Sequence, residues 1–207
     1  MKQSKTSKKF VYLISPNKIE DESFYTNLAL VLSTKKISFF QLRLKKETSL
    51  NKLMIGKKIK KICKKYKVKF LINDDPLLAK KLNADGCHLG QKDMDLIKAR
   101  KILKDKIIGV TCHNSINLAK IAIKAGADYL AFGAFFTSKT KIIKYRANLR
   151  ILNSVKKITL LPIVAIGGIK LNNYKKLLLN KANFLAISGY IWNNKKYKPL
   201  EAIKKLK

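Results

Sequence analysis

The sequence is poor in acidic residues and in arginine. It has 12 Asp and Glu against 46 Lys and Arg, a formal net charge of +34, and its only arginines are Arg43, Arg100, Arg146 and Arg150. Base readout and bidentate phosphate clamps favour Arg, so specific nucleic-acid binding is disfavoured. The lysines alternate with apolar positions, which favours a solvated surface that attracts anionic small molecules. A Lys-rich polyanion-binding protein is the alternative.

Disulfide patterns and long apolar runs are also missing. The three cysteines, Cys63, Cys87 and Cys112, have no CxxC spacing, which indicates a reducing, cytoplasmic compartment. The first apolar run, 10–14, is too short for a signal sequence or a membrane span. We expect a basic flexible segment over residues 1–9, one domain over 10–207, and no membrane partner. The sequence does not specify the oligomeric state.

Short apolar runs alternate with amphipathic segments along the chain. The predicted strands are 10–14, 37–42, 68–72, 86–89, 107–111, 128–132, 161–166 and 184–187. The predicted helices are 23–34, 49–66, 76–82, 95–103, 115–125, 145–156, 171–180 and 199–206. Continuously apolar strands indicate a parallel sheet, and eight βα units predict an α/β fold, a single-domain (β/α)8 TIM barrel. An open doubly wound sheet is the alternative, but no Gly-rich fingerprint follows the first strand.

Acidic residues interrupt the predicted core between residues 71 and 93. Asn73 and Asp74 end the third strand, and Asp93 shortly follows the fourth. Because the carboxyl ends of neighbouring parallel strands meet, these side chains should converge. Two carboxylates there suit Mg²⁺ with a bridging phosphate. Asp75, just before Pro76, is instead predicted to cap the next helix.

Other loops at the same end carry groups that suit anions. Alternation places Gln41, Arg43 and Lys45 on one side after the second strand, which suits a phosphate-bearing ligand, although a solvated loop fits equally well. Glycines after strand seven, including Gly168, and Ser188 after strand eight fit the barrel's usual phosphate site; a helix-packing turn is the alternative. Two phosphate sites and Mg²⁺ suggest a transferase that joins two phosphorylated partners and releases pyrophosphate.

Several motifs together resemble the thiamine phosphate synthase family in order and spacing. They are QLRLK, IND, DGCHLGQKD, GVTCHN, AGADYLAFGAFFTSKTK, PIVAIGGI and AIS, and they span about residues 10–190. The resemblance implies a TIM barrel and a Mg²⁺-assisted reaction. In that reaction a hydroxymethylpyrimidine diphosphate loses pyrophosphate, and the thiazole nitrogen of a thiazole phosphate attacks the pyrimidine methylene to give thiamine phosphate. The sequence does not distinguish a carboxylated from a decarboxylated thiazole.

The resemblance also implies roles for individual residues. It assigns Asp74 and Asp93 to Mg²⁺ and gives Arg43, Lys45 and Lys141 a catalytic role at the diphosphate. The residues matching the pyrimidine-diphosphate site are Gln41, Leu42, Arg43, Leu44, Lys45, Asn73, Thr111 and Lys141. The residues matching the thiazole-phosphate site are Ser138, Lys139, Thr140, Gly168, Ile187 and Ser188. This chain departs from the family at Thr137, where Pro is usual, and at Ser138, where Thr is usual.

Two further alternatives use the histidines. A thiazole tautomerase-like barrel would keep the thiazole-phosphate pocket without needing the diphosphate and magnesium set, and His113 would be its candidate acid–base group. A zinc site would use the pairs Cys87-His88 and Cys112-His113. Adjacent residues on a strand point to opposite faces, however, so only half of each pair can converge.

Overall fold

The computed structural model describes residues 9–137 and 144–207, and eight parallel strands close into a barrel in the order β1 to β8. The strands are β1 Val11–Ile14, β2 Ile37–Leu42, β3 Lys69–Asn73, β4 Gly86–Leu89, β5 Ile107–His113, β6 Tyr129–Gly133, β7 Ile163–Ile166 and β8 Phe184–Ile187. The helices are α1 Ser23–Ser33, α2 Ser49–Lys65, α3 Pro76–Lys81, α4 Leu96–Leu103, α5 Ile116–Lys124, α6 Arg150–Lys156, α7 Tyr174–Leu179, α8 Gly189–Trp192 and α9 Pro199–Lys205. The predicted (β/α)8 TIM barrel is therefore confirmed, and the doubly wound alternative is wrong.

Alternation along each strand sorts the side chains into two layers. Outward-facing residues such as Phe40 and Ile72 join the larger core beneath the helices. Inward-facing residues such as Tyr12, Leu71 and Tyr129 form a second cluster along the barrel axis. The apolar runs that predicted the parallel sheet thus fill both layers. The predicted flexible segment lies outside the described residues as far as residue 8.

Several predicted boundaries are wrong; strand β5, for example, ends at His113, two residues later than predicted. Helix α6 begins at Arg150 rather than at residue 145, because Tyr145 and Ala147 exchange backbone hydrogen bonds with Ala134 across the preceding loop. Strand β7 begins at Ile163 and helix α7 at Tyr174, each two or three residues later than predicted. The short helix α8 was not predicted. In the described part of the chain, no helix is long and apolar enough to cross a membrane.

One side-chain contact recurs at the amino ends of the strands. The carboxylate of Asp128, just before β6, accepts a hydrogen bond from the backbone N–H of Ile108 on β5 at 2.7 Å, while the Asp128 N–H donates to the Ile108 carbonyl. Equivalent paired contacts join Asp85 to Phe70 and Asn183 to Ile163. Each acceptor follows an alanine. The short motif Ala-Asp or Ala-Asn therefore marks the starts of β4, β6 and β8, where a side chain hydrogen-bonds to the backbone of the preceding strand.

Asp128 offers a stability test of this contact. Replacing it by Ala leaves the Ile108 N–H without its acceptor and removes the 2.6 Å ion pair with Arg100. We expect the free energy of unfolding in urea to fall by about 2 kcal/mol. Asp128→Asn keeps an acceptor, as Asn183 does naturally, and should cost less than half as much. Equal losses in the two variants would contradict the assignment of the stabilising role to the N–H contact.

Candidate active site

Two carboxylates and a lysine meet at the carboxyl ends of β3 and β4. Lys45 Nζ lies 2.9 Å from Asp74 Oδ2, and the carboxyl groups of Asp74 and Asp93 share a hydrogen bond. Asp93 Oδ2 also accepts from the Gly90 N–H at 2.7 Å. Asp74 adopts a left-handed backbone, φ 65°, and its N–H donates to the His88 carbonyl. The predicted convergence of Asp74 and Asp93 is therefore present.

The proximity of the carboxyl groups separates their pKa values. Burial raises the pKa of Asp93, and the neighbouring Asp74 raises it further. Burial also acts to raise the pKa of Asp74, but the hydrogen bond with Asp93 and the ion pair with Lys45 outweigh it, so that pKa is lowered. A cation bound beside both groups would oppose the rise in the pKa of Asp93 and favour the ionised form of the pair.

The donor set fits Mg²⁺ better than a transition metal. Among residues 9–137 and 144–207, no group of three or more His, Cys, Asp or Glu side chains could hold a metal ion. Mg²⁺ is commonly bound by one or two carboxylates together with substrate phosphates, which Asp74 and Asp93 can satisfy. The paired cysteine–histidine motifs do not converge on a zinc site: Cys87 and Cys112 are buried in the outer core, whereas His88 faces the barrel interior.

A cavity of about 280 Å³ opens beside this cluster, between the ends of β2 and β3. Lys45, Lys52, Asp74 and Asp75 supply its charged groups. Its other lining residues are Leu42, Leu44, Ile72, Asn73 and Leu78. Leu42 and Leu44 are each only 3% exposed, so they form an apolar wall and offer a ligand little polar contact. The cavity thus combines an apolar wall with a charged rim.

The other predicted residues after β2 are held at different depths. Gln41 is 2% exposed and faces the barrel interior, where its amide donates to Tyr12. Arg43 is anchored higher in the mouth: its N–H donates to Ser15 Oγ and its guanidinium to Asn17. Burial lowers the pKa of Arg43, and nearby Asp74 opposes that shift. The guanidinium therefore lies close to the carboxylate cluster.

The loops after β6, β7 and β8 approach one another across the mouth. Gly168 has φ 60°, and a Cβ there would lie 2.2 Å from the Thr137 carbonyl oxygen. Ser188 Oγ donates to the Ser15 carbonyl at 2.9 Å, and Ile187 is 1% exposed. At 187 and 188 a ligand would therefore meet mainly backbone. The predicted residues Ser138, Lys139, Thr140 and Lys141 lie outside the described residues.

Two residues singled out in the sequence have well-defined surroundings, and for Asp75 these decide the prediction. Asp75 Oδ1 accepts from the Leu78 N–H at 2.9 Å at the start of α3, so its predicted capping role is confirmed. His113 stacks on Tyr145 with ring centroids 4.1 Å apart. That stack joins the end of β5 to the loop preceding α6.

Five inward-facing side chains, which we call the relay, form a chain of hydrogen bonds across the barrel. Gln41 Nε2 donates to Tyr12 Oη at 3.0 Å, and the hydroxyls of Tyr12 and Tyr129 lie 2.8 Å apart. Tyr129 Oη is 2.8 Å from His88 Nδ1, and His88 Nε2 is 2.8 Å from Thr111 Oγ1. Sequence reasoning singled out the two ends of the relay and considered His88 only as a zinc ligand, but it missed Tyr12 and Tyr129. Their inward positions in the strand alternation were the available signal.

Comparisons with known proteins agree with this geometry. A family model described as thiamine monophosphate synthase matches residues 11–191. The chain is 86% identical over 207 residues to a thiamine-phosphate synthase of Pelagibacter ubique, covering all of both chains. It is 40% identical over 184 residues to one of Nitrosomonas eutropha, covering 88% of this chain and 86% of that one.

A solved structure extends the agreement to three dimensions. The thiamine phosphate pyrophosphorylase from Pyrococcus furiosus superposes with a TM-score of 0.82 at 27% identity, covering 96% of this chain and 94% of that chain. With the family model and the near-identical relative, this match establishes that the chain belongs to the thiamine monophosphate synthase family.

Proposed function

We propose that the chain catalyses Mg²⁺-dependent formation of thiamine phosphate from a hydroxymethylpyrimidine diphosphate and a thiazole phosphate, with release of pyrophosphate. The names of the relatives support the reaction. The observation that carries the magnesium requirement is the pair of hydrogen-bonded carboxyl groups, Asp74 and Asp93, beside Lys45. Two neighbouring carboxylates repel each other; Lys45 offsets the charge of one of them, and a diphosphate-bound cation would offset the other.

The leaving group would be held by the charged side of the mouth. Asp74 and Asp93 would bind Mg²⁺ together with diphosphate oxygens. When bound, that ion supplies charge neutralisation on the departing pyrophosphate. Arg43, Lys45 and Lys141 would add positive charge to the same oxygens, which stabilises the transition state more than the ground state because negative charge grows there.

Lys45 would change partners when the diphosphate binds. Its present partner is Asp74, at 2.9 Å, and half of the Lys45 side chain is exposed. A cation at Asp74 would repel the ammonium and free it for the diphosphate. The lysine therefore neutralises the site before substrate arrives and serves the leaving group afterwards.

The pyrimidine ring would lie on the inner polar residues of the mouth. Gln41, Asn73 and Thr111 all occupy inward positions of their strands, and Leu42 and Leu44 supply the apolar wall of the neighbouring cavity. Breaking the bond between the methylene carbon and the diphosphate oxygen leaves both electrons on the oxygen and a resonance-stabilised cation on the pyrimidine. The chain's role is to position the groups, since no general base is needed.

The thiazole phosphate would bind across the mouth. Gly168, Ile187 and Ser188 would contribute backbone groups, and Ser138, Lys139 and Thr140 would add donors from the loop after β6. The thiazole nitrogen then attacks the methylene carbon, and its lone pair becomes the new C–N bond. The positive charge moves to the thiazolium ring of the product, which balances the charge carried away by pyrophosphate.

We further propose a cytoplasmic location, small-molecule partners and no specific nucleic-acid or membrane partner. The three cysteines are free and buried, which suits a reducing compartment. The assignment of residues 10–207 to one barrel domain is part of the same proposal.

An assay with both substrates tests the proposal. Purified protein is expected to form thiamine phosphate and pyrophosphate in equal amounts when Mg²⁺ is present, and chelation by EDTA should stop both. Lys141→Ala should reduce the rate about 100-fold, whereas Lys120→Ala, which removes an equal charge from the exposed face of α5, should not. No product from folded protein that still binds thiazole phosphate would favour the tautomerase-like alternative.

A further inference from the structure

One direction of the relay satisfies every hydroxyl hydrogen, and it starts from the side-chain amide of Gln41. An amide nitrogen has hydrogens to donate and no lone pair to accept with, so Tyr12 Oη accepts from Gln41 Nε2. Gln41 and Tyr129 are the hydrogen-bond partners that the described residues give the Tyr12 hydroxyl, and Gln41 Nε2 cannot accept, so the buried Tyr12 hydrogen is satisfied only by donation to Tyr129. Tyr129, having accepted, donates to His88 Nδ1. The amide of Gln41 thus sets the direction of the hydrogen bonds through two hydroxyl groups, so that His88 Nδ1 accepts.

The imidazole passes this direction on to the mouth. A neutral histidine carries one ring hydrogen, and a nitrogen that accepts a hydrogen bond cannot carry it. Because Nδ1 of His88 accepts, the hydrogen is on Nε2 and is donated to Thr111 Oγ1. The Thr111 hydroxyl has then accepted, so its own hydrogen is available to a third partner. Thr111 is half-buried at an inward position near the end of β5, where that partner would be a ligand.

The environment keeps the relay neutral and ordered. Tyr12 is 1% exposed, and Tyr129 is 3% exposed. Burial raises the pKa of both hydroxyls above their ordinary value, so both keep the hydrogen that the relay requires. The rings also pack on one another: Tyr12 against Tyr129 edge to face, and His88 stacked on Tyr129. Close packing leaves the hydroxyls little freedom to find other acceptors.

We propose that Tyr12, Tyr129 and His88 are positioning residues that hold His88 as its Nε2–H tautomer and thereby present the Thr111 hydroxyl as a hydrogen-bond donor to the ligand. The ligand atom that takes the Thr111 hydrogen is an acceptor, such as a pyrimidine ring nitrogen or a diphosphate oxygen. The identity of that ligand rests on the proposed function. The tautomer does not, because it is a property of the free protein.

The tautomer can be read directly by NMR. The chain has two histidines, so a long-range ¹H–¹⁵N spectrum at about pH 8, above the ordinary titration of imidazole, contains two ring patterns. A His113→Gln variant identifies which pattern belongs to His88. We expect a protonated Nε2 and an unprotonated Nδ1. A protonated Nδ1 would overturn the proposal even if the protein makes thiamine phosphate, and absence of product would leave this result unaffected.

Substituting the central tyrosine tests whether the relay matters to the ligand. Tyr129→Phe removes only the hydroxyl and should let both tautomers of His88 appear, lowering kcat about tenfold while leaving KM for the thiazole phosphate unchanged. Tyr174→Phe is the matched control: Tyr174 is 1% exposed and, like Tyr129, loses two hydrogen bonds, one donated to the Lys207 carbonyl and one accepted from the Lys207 N–H, but it lies outside the relay. We expect it to change neither the tautomer nor kcat.

A double variant separates positioning from mere packing. Thr111→Val deletes the hydroxyl at the end of the relay while nearly preserving its volume, and should lower kcat at least as much as Tyr129→Phe. If Tyr129 acts through Thr111, the double variant is no slower than Thr111→Val alone. Multiplicative losses, or a Tyr129→Phe protein with wild-type kcat and a single Nε2–H tautomer, would overturn the proposal.

Discussion

Replacing Asp93 by Asn is expected to reduce product formation about 1000-fold while leaving the metal-free protein as stable as before or more so. Activity falls because one of the two carboxylates proposed to bind Mg²⁺ is lost along with its charge. Stability is retained because the amide oxygen of Asn can still accept from the Gly90 N–H, as Asp93 Oδ2 does at 2.7 Å. The two effects have opposite signs, which a general loss of structure cannot produce.

The sign of the stability change follows from the pKa of Asp93. Burial and the nearby Asp74 raise that pKa in the folded protein, so the folded state holds the proton more tightly than the unfolded chain does. Ionising Asp93 therefore costs stability as the pH rises through the raised pKa. Asn cannot ionise, so any gain in melting temperature should be largest at neutral pH and vanish in acid.

Thermal melts and initial rates measured against Mg²⁺ concentration check this prediction. Added Mg²⁺ and pyrophosphate should raise the melting temperature of the wild type but not that of Asp93→Asn. Asp95→Asn is the control: Asp95 caps helix α4 two residues further on, and Asn is an equally good cap. More than a tenth of wild-type activity in Asp93→Asn at low Mg²⁺ would remove Asp93 from the site.

Gly168→Ala is expected to raise KM for the thiazole phosphate by well over tenfold, with a smaller effect on KM for the pyrimidine diphosphate. A Cβ at residue 168 would lie 2.2 Å from the Thr137 carbonyl oxygen and 2.7 Å from the Phe136 carbonyl carbon. Both are backbone atoms and cannot rotate away. The loops after β6 and β7 would have to separate, although hydrogen bonds such as Phe136 N–H to the Gly167 carbonyl now join them.

Gly126→Ala provides the matched control for this substitution. Gly126 has φ 86°, in the same left-handed region, but a Cβ there would meet no atom within 4 Å. Placing Ala in that conformation lowers the free energy of unfolding of both variants by about 1 kcal/mol. The difference between them therefore isolates the close approach at Gly168. Equal KM values for the thiazole phosphate in the two variants would show that the approach of the two loops is unimportant for binding.

The sequence predicted those features that depend on local periodicity. Continuously apolar strands predicted the parallel barrel, and adjacency of β3 and β4 then placed Asp74 near Asp93. Capping of α3 by Asp75 was predictable because it needs only residues three apart. Each of these inferences uses contacts between chain neighbours or neighbouring strands.

The features that were missed depend on contacts across the barrel or on paired loops. His88 is bonded to side chains of two other strands, and no local pattern distinguishes it from an ordinary core residue. The start of α6 was misplaced because Tyr145 and Ala147 form backbone hydrogen bonds with Ala134. The helical pattern of the segment had predicted hydrogen bonds within a helix instead. The hydrogen bond from the Ile108 N–H to Asp128 was also missed, because it joins two strands that lie 20 residues apart in sequence. Its Ala-Asp motif was visible in the sequence.

The pairing of β1 with β8 bears on how the chain folds during synthesis. Val11 pairs with Ile37 on one side and with Leu185 on the other, so one edge of β1 stays open until the last strand has left the ribosome. An open edge is a template for pairing with other chains, and such long-range pairing is slow. The residues proposed to hold the diphosphate emerge early, yet protection from proteases and aggregation should come only with β8. Nascent chains arrested before that strand should therefore be the ones that chaperones retain.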